Sequence, residues 1–141
     1  FNDQSPVASL LLGSYVTQPT LIQLGQDGEP ALAVIDNLDQ AVILNWDVKE
    51  LKIRSVSPPY WEQIERIAVG DLNGDGSEEL VACSEQSLAV LDLACGQLSW
   101  TAETRFPEKI IGLTIEEGKL IVAFPEQLSF LILQGGKLSG D

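Results

Sequence analysis

The 141-residue chain contains no histidine. That absence excludes Ser-His-Asp and Cys-His catalysis, and every His-ligated zinc or haem site, from this chain. Basic residues are scarce: 8 Lys and Arg stand against 21 Asp and Glu, a formal net charge of −13. Nucleic-acid binding needs a Lys/Arg surface to neutralise phosphates, and anionic lipid makes the same demand, so neither is an expected partner. Cations are the natural counterparts of such acidic excess. Cysteine is limited to Cys83 and Cys95, too few for a disulfide framework and not spaced as a zinc motif, so the compartment stays open on this count. No apolar run approaches the ~18 residues that cross a bilayer; the longest are 9–12 and 128–133. No membrane span is expected, and no signal peptide is recognisable. The chain opens on Phe1 rather than Met and stops at Gly140-Asp141, where a further strand is expected to continue. The expectation is an excised segment of a longer protein, or a chain that closes by pairing with a copy of itself.

What is present describes a folded domain. Apolar residues at 45% and charged residues at 21% are ordinary for a globular protein and too hydrophobic for disorder. At ~100 to 200 residues per domain the length fits one domain, which buries roughly two thirds of its unfolded surface. Neither a disulfide nor a metal is needed merely to form a core.

The text repeats itself. L-V-A-C-S-E-Q-S-L-A-V-L-D-L-A-C-G-Q-L-S-W from Leu80 aligns without a gap, at an offset of 40, with L-I-V-A-F-P-E-Q-L-S-F-L-I-L-Q-G-G-K-L-S-G from Leu120. Upstream, 66–70 matches 109–113 at an offset of 43, and Asp27-Gly28-Glu29-Pro30-Ala31-Leu32 matches 75–80 at 48. Three units follow, at 20–64, 65–107 and 108–141, with 1–19 a leading strand segment. Within a unit, short Val/Ile/Leu-rich runs separated by turn residues read as four strands, 67–69, 80–83, 88–93 and 98–101 in the second unit. The best helical candidate is one turn at 61–65, after Pro58-Pro59. Four-stranded antiparallel units at this period predict an all-β fold built of β-propeller blades. A solenoid of hairpins is the competing architecture.

The loop D-L-N-G-D-G-S-E-E at 71–79 carries the clearest chemistry. Asp71, Asn73, Asp75 and Glu79 offer side-chain oxygens at alternating positions that converge if the chain curls around a centre, and Ser77 adds its backbone carbonyl. Gly74 and Gly76 allow the positive φ angles of such a curl. Hard oxygen donors in a flexible loop suit Ca²⁺ better than Mg²⁺, which requires a small octahedral shell. The opening matches the EF-hand consensus, but position 12 is Ala82 rather than Glu and no helices flank it. The competing explanation is a hairpin turn, for which Asn-Gly and Asp-Gly are favoured pairs, with solvated acids. The corresponding segments 25–29 and 114–119 lack the full ligand set, so one site is expected. The remaining acids Asp36, Asp39, Asp47, Glu116 and Glu117 fall at turns or strand ends and receive no catalytic role.

The stretch I-A-V-G-D-L-N-G-D-G-S-E-E-L-V at 67–81 resembles the FG-GAP repeat, also called the VCBS type, of integrin-type and bacterial surface propellers; Val69-Gly70 stands in place of the Phe-Gly of the name. The resemblance implies Ca²⁺ held by Asp71, Asn73, Asp75, Ser77 and Glu79, a scaffold binding a protein or glycan ligand, and an extracellular or cell-surface location. Val90 through Trp100, V-L-D-L-A-C-G-Q-L-S-W, resembles the tryptophan-docking motif of quinoprotein-like (PQQ-like) propellers. It implies a turn at Gly96 and a Trp100 ring lying flat between adjacent blades; Cys95 replaces the usual Thr, and Ile53 and Gly140 stand at the Trp position in the other units. Quinoprotein enzymes need a complete propeller and a vicinal disulfide, whereas Cys83 and Cys95 are not adjacent. The expected function is therefore a non-enzymatic interaction or structural scaffold. The rival is part of a larger quinoprotein-like or hydrolytic propeller enzyme. Pro58-Pro59-Tyr60-Trp61 is expected to pack across the link between units one and two rather than to offer an exposed aromatic for recognition.

Overall fold

The computed structural model describes residues 19–24, 29–46, 51–94 and 97–140. The leading strand expected within 1–19, the first unit's loop at 25–28, Asp47, the Cys95-Gly96 turn and Asp141 lie outside the described residues, apart from Pro19 at the entry to the first strand. The fold is all-β. Its strands are β1 (Thr20–Leu24), β2 (Glu29–Ile35), β3 (Ala41–Trp46), β4 (Leu51–Val56), β5 (Arg66–Gly70), β6 (Glu79–Cys83), β7 (Ser87–Ala94), β8 (Gln97–Arg105), β9 (Gly112–Glu116), β10 (Lys119–Phe124), β11 (Gln127–Gln134) and β12 (Lys137–Gly140). They form three four-stranded sheets, β1 to β4, β5 to β8 and β9 to β12, each strand pairing antiparallel with its sequence neighbour. Among the described residues no helix is long and apolar enough to cross a membrane.

The second sheet explains the order of the other two. Side chains alternate across a strand, so an unbroken apolar run needs cover on both faces. Leu80, Ala82, Ala89 and Leu91 join one cluster with Ile22, Ala33 and Ile43 of the first sheet. Their intervening neighbours Val81, Cys83, Leu88 and Val90 join another with Leu120, Val122 and Leu131 of the third. The sheets thus stack face to face in chain order. First strands adjoin first strands (β1 with β5, β5 with β9), and fourth strands adjoin fourth strands (β4 with β8, β8 with β12). Cys83 is a free thiol at the centre of this stack, and its burial pushes its pKa up to about 11, so it behaves as an apolar core group.

Close approach of β5 and β9 depends on a glycine. A Cβ at Gly70 would lie 2.5 Å from Ile115 Cγ2 and 2.9 Å from Ile115 Cβ, well inside van der Waals contact. Gly70→Ala is therefore expected to lower stability by about 1 to 3 kcal/mol through overpacking. Urea denaturation checks it, and a loss below about 0.5 kcal/mol would show that the two strands part freely.

Segment 57–65 connects the first two sheets as an extended strap. Tyr60 N–H donates to Asp39 O (2.8 Å), Ile64 N–H to Asp39 Oδ1 (2.9 Å) and Glu65 N–H to Cys83 O (2.8 Å). These bonds divert the amides that a helical turn at 61–65 would need, so the expected turn is replaced by a bend at 61–62. Tyr60 is buried, as expected for a residue packing across the link, and its hydroxyl shares a hydrogen bond with Ser87 Oγ (2.9 Å), itself bonded to Ser84 Oγ (2.7 Å). Trp61 stacks on Tyr60 with ring centroids 4.1 Å apart but stays 43% exposed. Trp100 is half-buried at the edge of the first cluster. Packed against the cluster that the first two sheets share, it meets Tyr60 edge-on at 82° and donates its indole N–H to Pro58 O (2.9 Å). It docks on the strap. Trp100→Ala is expected to cost about 2 to 3 kcal/mol, less than for a fully enclosed ring; chemical denaturation checks it, and a loss under about 1 kcal/mol would dismiss the dock.

The third sheet shifts one alignment. Gly70 pairs with Glu79 and Glu116 with Lys119, so β5 corresponds to 112–116 and not to 109–113. The run at Ile110-Ile111 imitates a strand, but Ile110 N–H bonds to Glu85 O (2.8 Å) and its side chain fills the second cluster from a connecting segment. The β9–β10 connection is then the two-residue turn Glu117-Gly118, with φ of 52° and 77°, against the eight-residue loop 71–78 between β5 and β6.

Candidate metal centre

The 71–78 loop leaves β5 and curls under its own carboxylates before entering β6. Asp71 accepts from Gly74 N–H through Oδ1 (2.8 Å) and from Gly76 N–H through Oδ2 (2.9 Å). Asn73 Oδ1 accepts from Asp75 N–H (3.1 Å), and Asp75 Oδ1 from Ser77 N–H (2.9 Å). Gly74 and Gly76 take φ of 77° and 87°, the left-handed conformation that lets the turn tighten without a Cβ penalty. Leu72, buried beneath the loop, anchors it in the second cluster, and its N–H donates to Glu79 Oε2 (3.2 Å).

One carboxylate oxygen from each of Asp71, Asp75 and Glu79 lies within 4.8 Å of the other two. Asp75 is exposed, and Asp71 and Glu79 are half-buried. Three of the five expected ligands thus bring carboxylates together. Asn73 is exposed, with its carbonyl oxygen accepting from Asp75 N–H, and both it and the half-buried Ser77 line the same groove as Asp75 and Glu79. Glu79 is held by the β-ladder opposite Gly70, so its carboxyl cannot retreat far into solvent. Burial, together with repulsion from Asp75, Asp71 and Asp92, pushes its pKa up to about 7 against the pull of the Leu72 amide. Removing that charge should help the metal-free chain. Glu79→Gln, which keeps an acceptor for Leu72, is expected to stabilise the protein in chelator at pH 8 by about 1 kcal/mol after discounting for partial exposure. The same change should weaken any calcium response. Thermal melts in chelator check the first effect, and a destabilised variant would show that burial and the neighbouring acids do not penalise the Glu79 charge appreciably.

Two acidic residues near the loop have roles the sequence motif does not reveal. Glu78 clips the loop to the first sheet: its N–H donates to Gln23 O (2.8 Å) and its Oε1 accepts from Gln23 N–H (2.7 Å). Asp92, the turn acid of the docking motif, stands across from Glu79 because Leu80 pairs with Leu91. Hairpin register would have exposed Asp92 in advance; no local signal marks Glu78. Among the described residues this is the one group of three acidic side chains close enough to share a cation. The Glu117-Gly118 turn is too short to form an equivalent.

Three carboxylates this close form a hard-donor set that could hold a divalent cation. Compared with known proteins, the chain matches no family model and no curated sequence.

Proposed function

We propose that this chain is a three-blade segment of a calcium-stabilised β-propeller, acting as a protein-interaction or structural scaffold. The convergence of the Asp71, Asp75 and Glu79 carboxylates to within 4.8 Å carries the metal part of this reading. The face-to-face stacking of three four-stranded sheets, first strand beside first strand, supports the blades. The 67–81 stretch resembling the FG-GAP/VCBS repeat supports both. Calcium would neutralise the loop's acids and fix the start of β6, while Glu78 carries that order to β1 of the neighbouring sheet. Loops at one end of the stack would meet a protein or glycan ligand. The resemblance of 67–81 to the FG-GAP/VCBS repeat points to an extracellular or cell-surface setting. No residue of the segment is given a catalytic role. Calorimetric titration of calcium into the chelator-treated chain tests the proposal: one site is expected, with magnesium far weaker. The absence of binding at millimolar calcium would end it.

A further inference from the structure

Glu78 holds both main-chain groups of one residue in the neighbouring sheet. Its N–H donates to Gln23 O (2.8 Å), and its Oε1 accepts from Gln23 N–H (2.7 Å). Gln23 stands opposite Pro30 in the β1–β2 ladder, and proline has no N–H to offer its carbonyl. The Glu78 peptide supplies the donor that Pro30 lacks, and its carboxylate makes the short bond of a charged acceptor. On either side of Gln23, Ile22 and Leu24 pack in the cluster shared by the first two sheets and line a groove of about 280 Å³ with Asp75, Ser77 and Glu79. Glu79, the next residue, pairs opposite Gly70 and offers its carboxylate to the group formed with Asp71 and Asp75. Adjacent side chains thus serve different partners, Glu78 the first sheet and Glu79 the acidic loop.

Building on the metal site proposed above, we infer that Glu78 is a positioning residue that couples this site to the seam between the first two sheets. A divalent cation in the loop seats β1 more firmly, and a seated β1 raises the loop's affinity for the cation. Asp75 and Glu79 flank Glu78 along the chain, so drawing their carboxylates onto one ion fixes the peptide between them. Without that ion the three acids repel one another within 4.8 Å, and the loop is held by the Asp71 bonds to the Gly74 and Gly76 amides. Linkage makes the effect reciprocal, since whatever the cation does to the seam the seam does to cation affinity. At the other end of β2 the strap holds Asp39, in the β2–β3 turn, through the Tyr60 and Ile64 amides. The first seam is therefore pinned at one end by the strap and regulated at the other by the loop. The second seam is built differently: β5 and β9 meet at Gly70 against Ile115, and the Glu117-Gly118 turn stands where the loop would be. The cation acts on the first seam and not on the second.

Amide hydrogen exchange on the whole chain, followed residue by residue by NMR in chelator and in saturating calcium, tests this. Gln23 is exposed, so its amide owes its protection to the Glu78 bond rather than to burial. Calcium is expected to slow Gln23 exchange at least about fivefold, with little change at Ile111, whose N–H bonds to Ala123 O in the third sheet. Glu78→Ala should abolish the calcium effect at Gln23 and weaken calcium binding by a similar factor. Glu78→Gln keeps the acceptor and should restore the Gln23 response, which separates the bond from the loss of an acidic charge near the ion. In chelator, Asp71→Ala undoes the loop's own bonds and should speed exchange at Gln23. Glu78→Ser takes the place of Glu78→Ala if circular dichroism shows that the alanine variant does not fold. Calcium binding by calorimetry with Gln23 unchanged would overturn the coupling and leave the metal site standing, whereas no calcium binding would end both. Equal slowing at Gln23 and Ile111, or a calcium effect that survives Glu78→Ala, would also overturn the coupling.

Discussion

In saturating calcium the chain is expected to melt about 8 to 10 °C higher than in chelator, and Asp71→Ala or Asp75→Ala to erase that difference. Calcium at about a hundred times its dissociation constant stabilises the native state by ~2.7 kcal/mol, and about 3 to 4 °C per kcal/mol is usual at this chain length. Each substitution removes one of three converging carboxylates. Asp71→Ala also takes away the acceptor for the Gly74 and Gly76 amides, so it should lower the melting temperature in chelator too. Asp75→Ala, at an exposed position whose side chain accepts from the Ser77 amide, should act mainly on the calcium response. Glu117→Ala in the short third-unit turn is the matched control and should leave the response intact. Scanning calorimetry in both conditions checks the set. Equal wild-type melting temperatures with and without calcium would remove the metal from this protein's account.

The second large effect concerns the packing between sheets. Leu120→Ala is expected to cost about 3 to 5 kcal/mol, because Leu120 is 0% exposed at the contact between the second and third sheets and its truncation leaves a cavity that rigid strands cannot fill. Leu128→Ala changes the same residue type in the same sheet on the opposite, open face, and in dilute solution should cost less than about 0.5 kcal/mol. Urea denaturation of the pair tests the assignment of faces directly. Comparable losses would mean that the third sheet is turned over relative to its neighbours. An unchanged denaturant slope for Leu120→Ala would show that the three sheets unfold together, whereas a shallower slope would mean that the third melts alone.

The strands were largely legible because their signals are local. Period-two apolar runs bounded by Gly, Pro, Asn and Asp located the four strands of the second unit within a few residues of Arg66–Gly70, Glu79–Cys83, Ser87–Ala94 and Gln97–Arg105. The acidic loop was equally legible, since its side chains and glycines are set by spacing along one short segment. The misassigned 109–113 segment shows the limit. Ile110-Ile111 has the composition of a strand, and only the pairing of Gly112 with Ala123 reveals that the strand begins at Gly112. The strap at 61–65 failed for a related reason: Asp39 and Cys83, distant in sequence, claim the amides that a local helical turn would have used.

The sequence by itself determined an all-β chain of repeated four-strand units, an acidic oxygen-donor loop at 71–79 and the exclusion of histidine chemistry. These depend on residue type and short-range spacing, which folding cannot alter. Tertiary structure alone decided which apolar faces are shared. Leu88 and Leu128 stand at the same repeat position, yet one is sealed between sheets and the other open. It also decided that Trp100 docks on Pro58 and Tyr60, that Glu78 clips the loop to β1, and that Asp92 stands opposite Glu79. Each of these contacts joins residues whose separation along the chain carries no information about their distance in space, which hydrogen-bond register and sheet stacking fix only once the sheets have formed.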